Sequence, residues 1–273
     1  MNDNFVIGGE IIPRRSRRLI ELELPPLYTH APMNLPVHVI RGSNDGPRLF
    51  ISAAIHGDEL NGTEIIRRLL KQPALKRLRG TLVAVPIVNV YGLIHHSRYL
   101  PDRRDLNRSF PGSEKGSLAA RLAHIFMTEI VHNCSHGIDL HTGAIHRSNL
   151  PQIRANLDDP ETARLAEAFG VPVLINANIR DGSLRGAAAE LGTPMLLYEA
   201  GEALRFDEVS IRAGVKGIIK VMRSLEMLPP TRSRRKILHE PFVARSSTWV
   251  RASASGLFRK VYGLGSRVKR GDV

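Results

Sequence analysis

The chain has 273 residues, of which 42% are hydrophobic and 24% charged, the balance of a globular protein able to bury a sizeable core. Its 39 Lys and Arg against 26 Asp and Glu give a net charge of +13, which would attract nucleic acid, anionic lipid or small acidic molecules. A single cysteine, Cys134, excludes an internal disulfide and fits a reducing cytoplasm, and no stretch reaches the roughly 18 continuous apolar residues of a membrane helix.

The first residues lack the basic-then-apolar order of a signal peptide, so a cytoplasmic location is expected. Leu19 to Leu24 alternates apolar and acidic residues like a half-buried strand, and Val37 to Ile40 reads as another, followed by a turn at Ser43 to Pro47. The apolar run Leu49 to Ile55 is of the kind buried on both faces of a sheet. It ends in His56-Gly57-Asp58-Glu59, after which Asn61 to Lys71 carries a helical stripe at 65, 66, 69 and 70. Thr81 to Val88 is a further buried strand.

Residues 89–116 are polar, contain Gly and Pro, and are too long for a plain connection, which marks a functional loop. Helix returns over Ser117 to His132, where Leu118, Leu122, Ile125, Phe126 and Ile130 share a face. A short strand, Gly137 to Leu140, leads to His141-Thr142-Gly143. Helices follow at Glu161 to Phe169 and Ser183 to Leu191, then the strand Met195 to Tyr198 ending in Glu199-Ala200-Gly201, then a long helix from Asp207 to Leu228 stopped by Pro229-Pro230. Strands alternating with helices define an α/β layered sheet. Beyond Pro230 the chain is basic, with β-type alternation at Phe242 to Ala244 and Thr248 to Val250. It closes on a turn resembling that of a small biotinyl/lipoyl-type β-barrel, with no further strand after it. Expected domains are therefore 1–230, with an N-terminal β segment over 1–35, and 231–273 as the start of a truncated barrel.

Three polar groups, His56/Glu59, His141 and Glu199, each follow a short apolar strand, and sites in open α/β sheets gather at strand carboxyl ends. His56, Glu59 and His141 supply two imidazoles and a carboxylate, the set a catalytic zinc takes while keeping one position for water. Such an ion brings the pKa of bound water to about 7. Read alone, the quartet 56–59 is equally a polar turn opening a helix. Asp139 is either a partner of His141 or a strand-end cap. Glu199 is the candidate general base, and Asn107-Arg108 a candidate clamp for a substrate carboxylate. Arg98 and Arg103, on the same loop, are candidates to stabilise an oxyanion. The basic clusters Arg14 to Arg18 and Arg232 to Lys236 lack interleaved aromatics, and 5% aromatic content offers few stacking platforms for nucleic acid, so a small anionic substrate is favoured over a polynucleotide.

The ordered series His56-Gly57-Asp58-Glu59, Asp105-Leu106-Asn107-Arg108-x-Phe110-Pro111-Gly112, Asp139-Leu140-His141-Thr142-Gly143 and Glu199-Ala200-Gly201 resembles the aspartoacylase/succinylglutamate desuccinylase family, relatives of the zinc carboxypeptidases. The resemblance covers about residues 35–228 and implies a three-layer, carboxypeptidase-like mixed sheet flanked by helices, with the C-terminal part as a β appendage. It implies one zinc per chain at His56, Glu59 and His141, carboxylate recognition by Asn107 and Arg108, and Glu199 as base toward zinc-bound water. The arginine that polarises the scissile carbonyl in the family corresponds to Arg98 or Arg103. The one that grips the amino-acid part corresponds to Arg185 or Arg180, and Tyr262 is the one tyrosine in the tail. The implied activity is hydrolysis of the amide of a small N-acyl amino acid. Two other readings are a metallocarboxypeptidase and a basic binding module with a non-catalytic metal site. Neither a membrane nor nucleic acid is expected as a partner, and the sequence is compatible with a homo-oligomer.

Overall fold

The computed structural model describes residues 5–27, 29–177, 180–231 and 240–272. In chain order the elements are β1 (Phe5–Ile7), β2 (Glu10–Ile12), β3 (Ser16–Leu24), β4 (Met33–Arg41), β5 (Arg48–Ala53), α1 (Asn61–Leu69), β6 (Thr81–Val85), α2 (Val90–Ile94), α3 (Leu118–Phe126), β7 (His136–Gly143), β8 (Asn149–Ala155), α4 (Pro160–Phe169), β9 (Val173–Asn176), α5 (Leu184–Glu190), β10 (Met195–Glu202), α6 (Glu208–Ser224) and β11 (Phe242–Ala244).

β1 and β2 form a small hairpin, and the other strands a mixed sheet in the order β11-β9-β8-β10-β7-β5-β6-β4-β3. Its centre is parallel: β6, β5, β7 and β10 run side by side, with β8 antiparallel to β10 and β3 and β4 antiparallel beyond β6. The alternation along β5 explains the layers. Leu49, Ile51 and Ala53 face a core built with Ile65, Ile66 and Leu69 of α1, Leu165 and Phe169 of α4, and Ile218 and Val221 of α6. Phe50 faces the opposite core, with Tyr91 of α2, Leu122 and Phe126 of α3, and Leu184 and Ala188 of α5. The result is the three-layer architecture expected, a mixed sheet between helices.

Local chemistry sets the helix ends. Ser117, Asp159, Ser183 and Asp207 each accept a backbone N–H of the first turn of α3, α4, α5 and α6. Gly170 closes α4 in the left-handed conformation at φ 77°. The expected helix 117–132 forms in two parts, α3 and a π-helical turn over Met127–Val131. The strand expected over 81–88 stops at Val85, because Pro86 has no N–H to continue the ladder.

His141 and Glu199 lie within β7 and β10 rather than beyond them. These two strands go on pairing with each other after β5 has ended, with Glu199 opposite His141. The sequence reading did not include β8 and β9, or α2 within the 89–116 loop. Phe242–Ala244 joins the edge of the central sheet beside β9, while Thr248 to Val250 is not strand, and no regular element follows among the described residues. The basic cluster 232–236 lies outside the described residues. No helix of the described residues is long and apolar enough to cross a membrane. Cys134 is buried, and that burial pushes its thiol up, away from nucleophile chemistry.

Packing between α6 and α4 depends on Gly217, where a Cβ would meet the Phe169 ring at 2.0 Å. Gly217→Ala is expected to destabilise the protein by about 1–3 kcal/mol, read from the midpoint of urea unfolding.

Candidate metal centre and arginine-lined cavity

The centre begins where β5 ends. Ala54 takes a left-handed conformation at φ 51°, Ile55 is buried, and the chain turns through His56 to Glu59, with Glu59 N–H donating to the His56 carbonyl at 3.1 Å. Gly57 permits this turn: a Cβ there would lie 2.0 Å from the backbone carbon of Gly92 in α2. Asn61, at the start of α1, donates to the Ala200 carbonyl and accepts from Asp207 N–H, which ties the turn to β10 and α6.

His56, Glu59 and His141 are each less than 5% exposed, and their ligand atoms lie within 4.8 Å of one another. One Glu59 oxygen is 2.7 Å from His56 Nδ1, and the other is 2.8 Å from His141 Nδ1 and accepts the Thr142 N–H at 3.1 Å. Each ring also meets a second carboxylate. His56 Nε2 is 3.2 Å from Asp105, and His141 Nε2 is 2.7 Å from Asp139. Ser52, the register partner of Asp139 on β5, donates to that carboxylate at 2.7 Å.

A neutral imidazole carries one N–H, yet both rings are flanked by carboxylates at both nitrogens. Protein groups alone satisfy this only with both rings charged. Burial opposes that charge, but Glu59 and Asp105 outweigh it at His56, and Asp139 and Glu59 at His141, so both histidines are raised, His141 strongly. Despite burial, the two histidines hold Glu59 well below the usual carboxylate range, and His56 and Arg98 do the same to Asp105. A cation held by His56, Glu59 and His141 would take the place of two protons. Each ring would then keep one N–H for its own aspartate, Asp105 or Asp139, the arrangement typical of histidine ligands. The donor set therefore fits a metal ion.

A cavity of about 460 Å³ opens on this centre, and six arginines line it: Arg98, Arg108, Arg147, Arg154, Arg180 and Arg185. Arg98 is anchored by Asp105 at 2.9 Å and approaches Glu59 at 3.6 Å. Arg103 sits instead on an exposed turn at φ 61° and is not among the lining residues, so of the two loop arginines the fold brings only Arg98 to the centre. Asn107 is buried, and its Oδ1 accepts the Leu184 N–H at 2.9 Å, joining the loop to the start of α5. Arg108 lines the cavity beside it. Arg185 is 8% exposed and donates to the Ala177 carbonyl at 2.9 Å. Burial, then the charges of Arg154 and Arg180, push its pKa down, with Glu199 opposing them. Glu199 also lines the cavity, with one oxygen accepting from Asn149 at 2.8 Å and Gln152 at 3.2 Å. Tyr262 is 43% exposed and lies outside the lining.

Arg147, Asn149, Arg154 and Trp249 line the cavity without having been singled out by sequence. Those on β8 carried a period-two signal, with Gln152 and Arg154 alternating with Ile153 and Ala155, which Pro151 obscured. The Arg147 guanidinium lies 5.6 Å from the Trp249 ring centroid, so the C-terminal segment contributes to the cavity mouth.

Fold and donor set define a three-layer α/β protein with a candidate metal site. The model of the succinylglutamate desuccinylase/aspartoacylase catalytic domain matches residues 45–225, and the chain belongs to that family. A curated relative, N-alpha-acetyl-L-2,4-diaminobutyric acid deacetylase of Halomonas elongata, is 31% identical over 147 residues, which are 52% of this chain and 43% of the relative. The match thus spans less than half the length of that enzyme. The fold is shared with succinylglutamate desuccinylase/aspartoacylase from Rhodobacter sphaeroides, at TM-score 0.75 and 24% identity, covering 84% of this chain and 71% of that one. It is shared equally with the product-bound ectoine utilization protein EutE (DoeB) from Ruegeria pomeroyi, at TM-score 0.75 and 23% identity, covering 87% and 75%.

Since Gly57 has no room for a side chain, Gly57→Ala is expected to push the 56–59 turn off α2. The expected readouts are a lower midpoint of thermal unfolding and a displaced His56 in a crystal structure.

Proposed function

We propose that the chain is a zinc-dependent deacylase, hydrolysing the amide bond of a small, anionic N-acyl amino acid. The observation that carries this reading is the pair of buried imidazoles that turn Nδ1 toward Glu59 and Nε2 toward Asp105 and Asp139, at the floor of a cavity lined by arginine. His56, Glu59 and His141 would hold the ion, which when bound supplies Lewis acidity and an acidified water at neutral pH.

The remaining chemistry belongs to the protein. Glu199 takes the proton of the attacking water and returns it to the departing amine, so one carboxylate serves as base and then acid. Arg98, held by Asp105, faces the carbonyl oxygen and stabilises charge that develops there. Arg108 and Arg185 pair with the substrate carboxylate, and Asn107 sets their spacing by joining the loop to α5. A volume of about 460 Å³ suits a small molecule. The family and the deacetylase of H. elongata support amide hydrolysis as the reaction class. Six lining arginines favour an anionic substrate over one with a cationic side chain.

Zinc-loaded protein tested on N-acetyl and N-succinyl amino acids, N-acetyl-L-2,4-diaminobutyrate and short peptides is expected to cleave the acidic N-acyl amino acids fastest. Preferential release of C-terminal residues from peptides would favour a metallocarboxypeptidase instead. Glu199→Gln is expected to lose about 10²–10⁴ in kcat with zinc content unchanged by elemental analysis, and full activity in that variant would remove the base. Arg108→Ala and Arg185→Ala are each expected to raise KM about ten- to a hundred-fold, in line with loss of a charged hydrogen bond.

A further inference from the structure

Glu199 sits at a double irregularity in the sheet. Toward β7 it pairs with His141, and the next pair, Glu202 with Gly143, sets three residue steps on β10 against two on β7. Toward β8 it pairs with Gln152, and the next pair, Gly201 with Asn149, sets two steps on β10 against three on β8. The extra residue on β8 is a bulge at Leu150-Pro151, where a proline costs no ladder hydrogen bond.

The bulge has a geometric effect. In a regular strand, residues three apart point to opposite faces. Here Asn149 and Gln152 both reach the same oxygen, Oε2 of Glu199, at 2.8 and 3.2 Å. Arg154, two residues on and so on the same face as Gln152, has its Nε 3.3 Å from that oxygen without a hydrogen bond to it. Among the described residues Oε1 has no hydrogen-bond partner. One carboxylate oxygen is thus fixed by two neutral amides and the other is left available in the cavity.

We propose that Asn149 and Gln152 are positioning residues for Glu199, brought to one face by the β8 bulge so that Oε1 is presented for proton transfer. This rests on the reading of Glu199 as the general base. The two amide donors fix Oε2, with the Arg154 guanidinium 3.3 Å from that same oxygen, and so leave a lone pair of Oε1 aimed at the reaction. A bidentate guanidinium would occupy both oxygens. The amides do not touch the proposed ligands, so their loss acts on proton transfer and not on metal binding.

The test uses the full chain loaded with zinc, in the variants N149L, Q152M and the double N149L/Q152M, which keep side-chain size and remove the donors. Q152K restores a donor at one position, and E199Q serves as reference. On the fastest substrate of the N-acyl panel, the double variant is expected to lose roughly ten- to a hundred-fold in kcat, as a misplaced catalytic group does, with KM changed by less than about threefold. Q152K is expected to recover most of the loss seen in Q152M. Zinc content stays at one per chain in all variants, and a crystal structure of the double variant is expected to show the Glu199 carboxylate rotated or in more than one conformer. An inactive E199Q beside a fully active double variant overturns the positioning role and keeps the base. An active E199Q overturns the base and the positioning role together. An unmoved Glu199 in the crystal structure of the double variant overturns the proposal whatever the substrate.

Discussion

One carboxylate, Glu59, lies between two buried imidazoles, and much of the architecture serves to keep it there. A buried charge of this kind is costly unless neighbours compensate it. Compensation comes from three segments distant in sequence: His56 in the turn after β5, Arg98 in the long loop, and His141 with the Thr142 N–H on β7. The sheet fixes two of them directly, since β5 and β7 are parallel neighbours with Ser52 opposite Asp139. The loop is fixed by Asp105, which bonds His56, Arg98 and the Asn107 N–H at once.

Charge is distributed unevenly around that centre. The carboxylates are spent on the two imidazoles, and the cavity wall is left to arginines. Arg98 is paired with Asp105 and Arg154 with Glu199, and Arg185 lies within the field of both Arg154 and Arg180. An anion entering such a space gains attraction from several guanidinium groups in a partly enclosed setting, where screening by salt is weaker than on an open surface. The same crowding disfavours a substrate with its own positive charge.

The layered fold and the gathering of His56, Glu59 and His141 were legible because they rest on strong, local signals. Leu49 to Ile55 and Gly137 to Leu140 are apolar runs, and His56 and His141 follow them directly. Deciding between Arg98 and Arg103 was beyond the sequence. Both are loop arginines, and the choice depends on Asp105 reaching back to one of them while the other falls on a left-handed turn. β8 was hidden for a different reason. Its proline argues against a strand by propensity, yet the bulge that admits the proline is what gathers Asn149 and Gln152 on Glu199. Register is a property of the sheet, and a bulge leaves only weak marks in composition.

The contact between Gly57 and Gly92 joins the turn bearing His56 and Glu59 to the first half of the long loop. Backbone lies against backbone there, so the two segments have no soft side chain between them to absorb a displacement. Past Ile94 the loop is exposed through His96 before it returns to bury Leu100 and Leu106. The loop therefore divides into a first stretch packed rigidly on the 56–59 turn, an exposed tip over 94–96, and a return through Arg98 and Asp105 that bonds the centre again. A change in length between 89 and 93 would therefore move His56 and Glu59 together, whereas one at 94–96 falls where the loop is exposed.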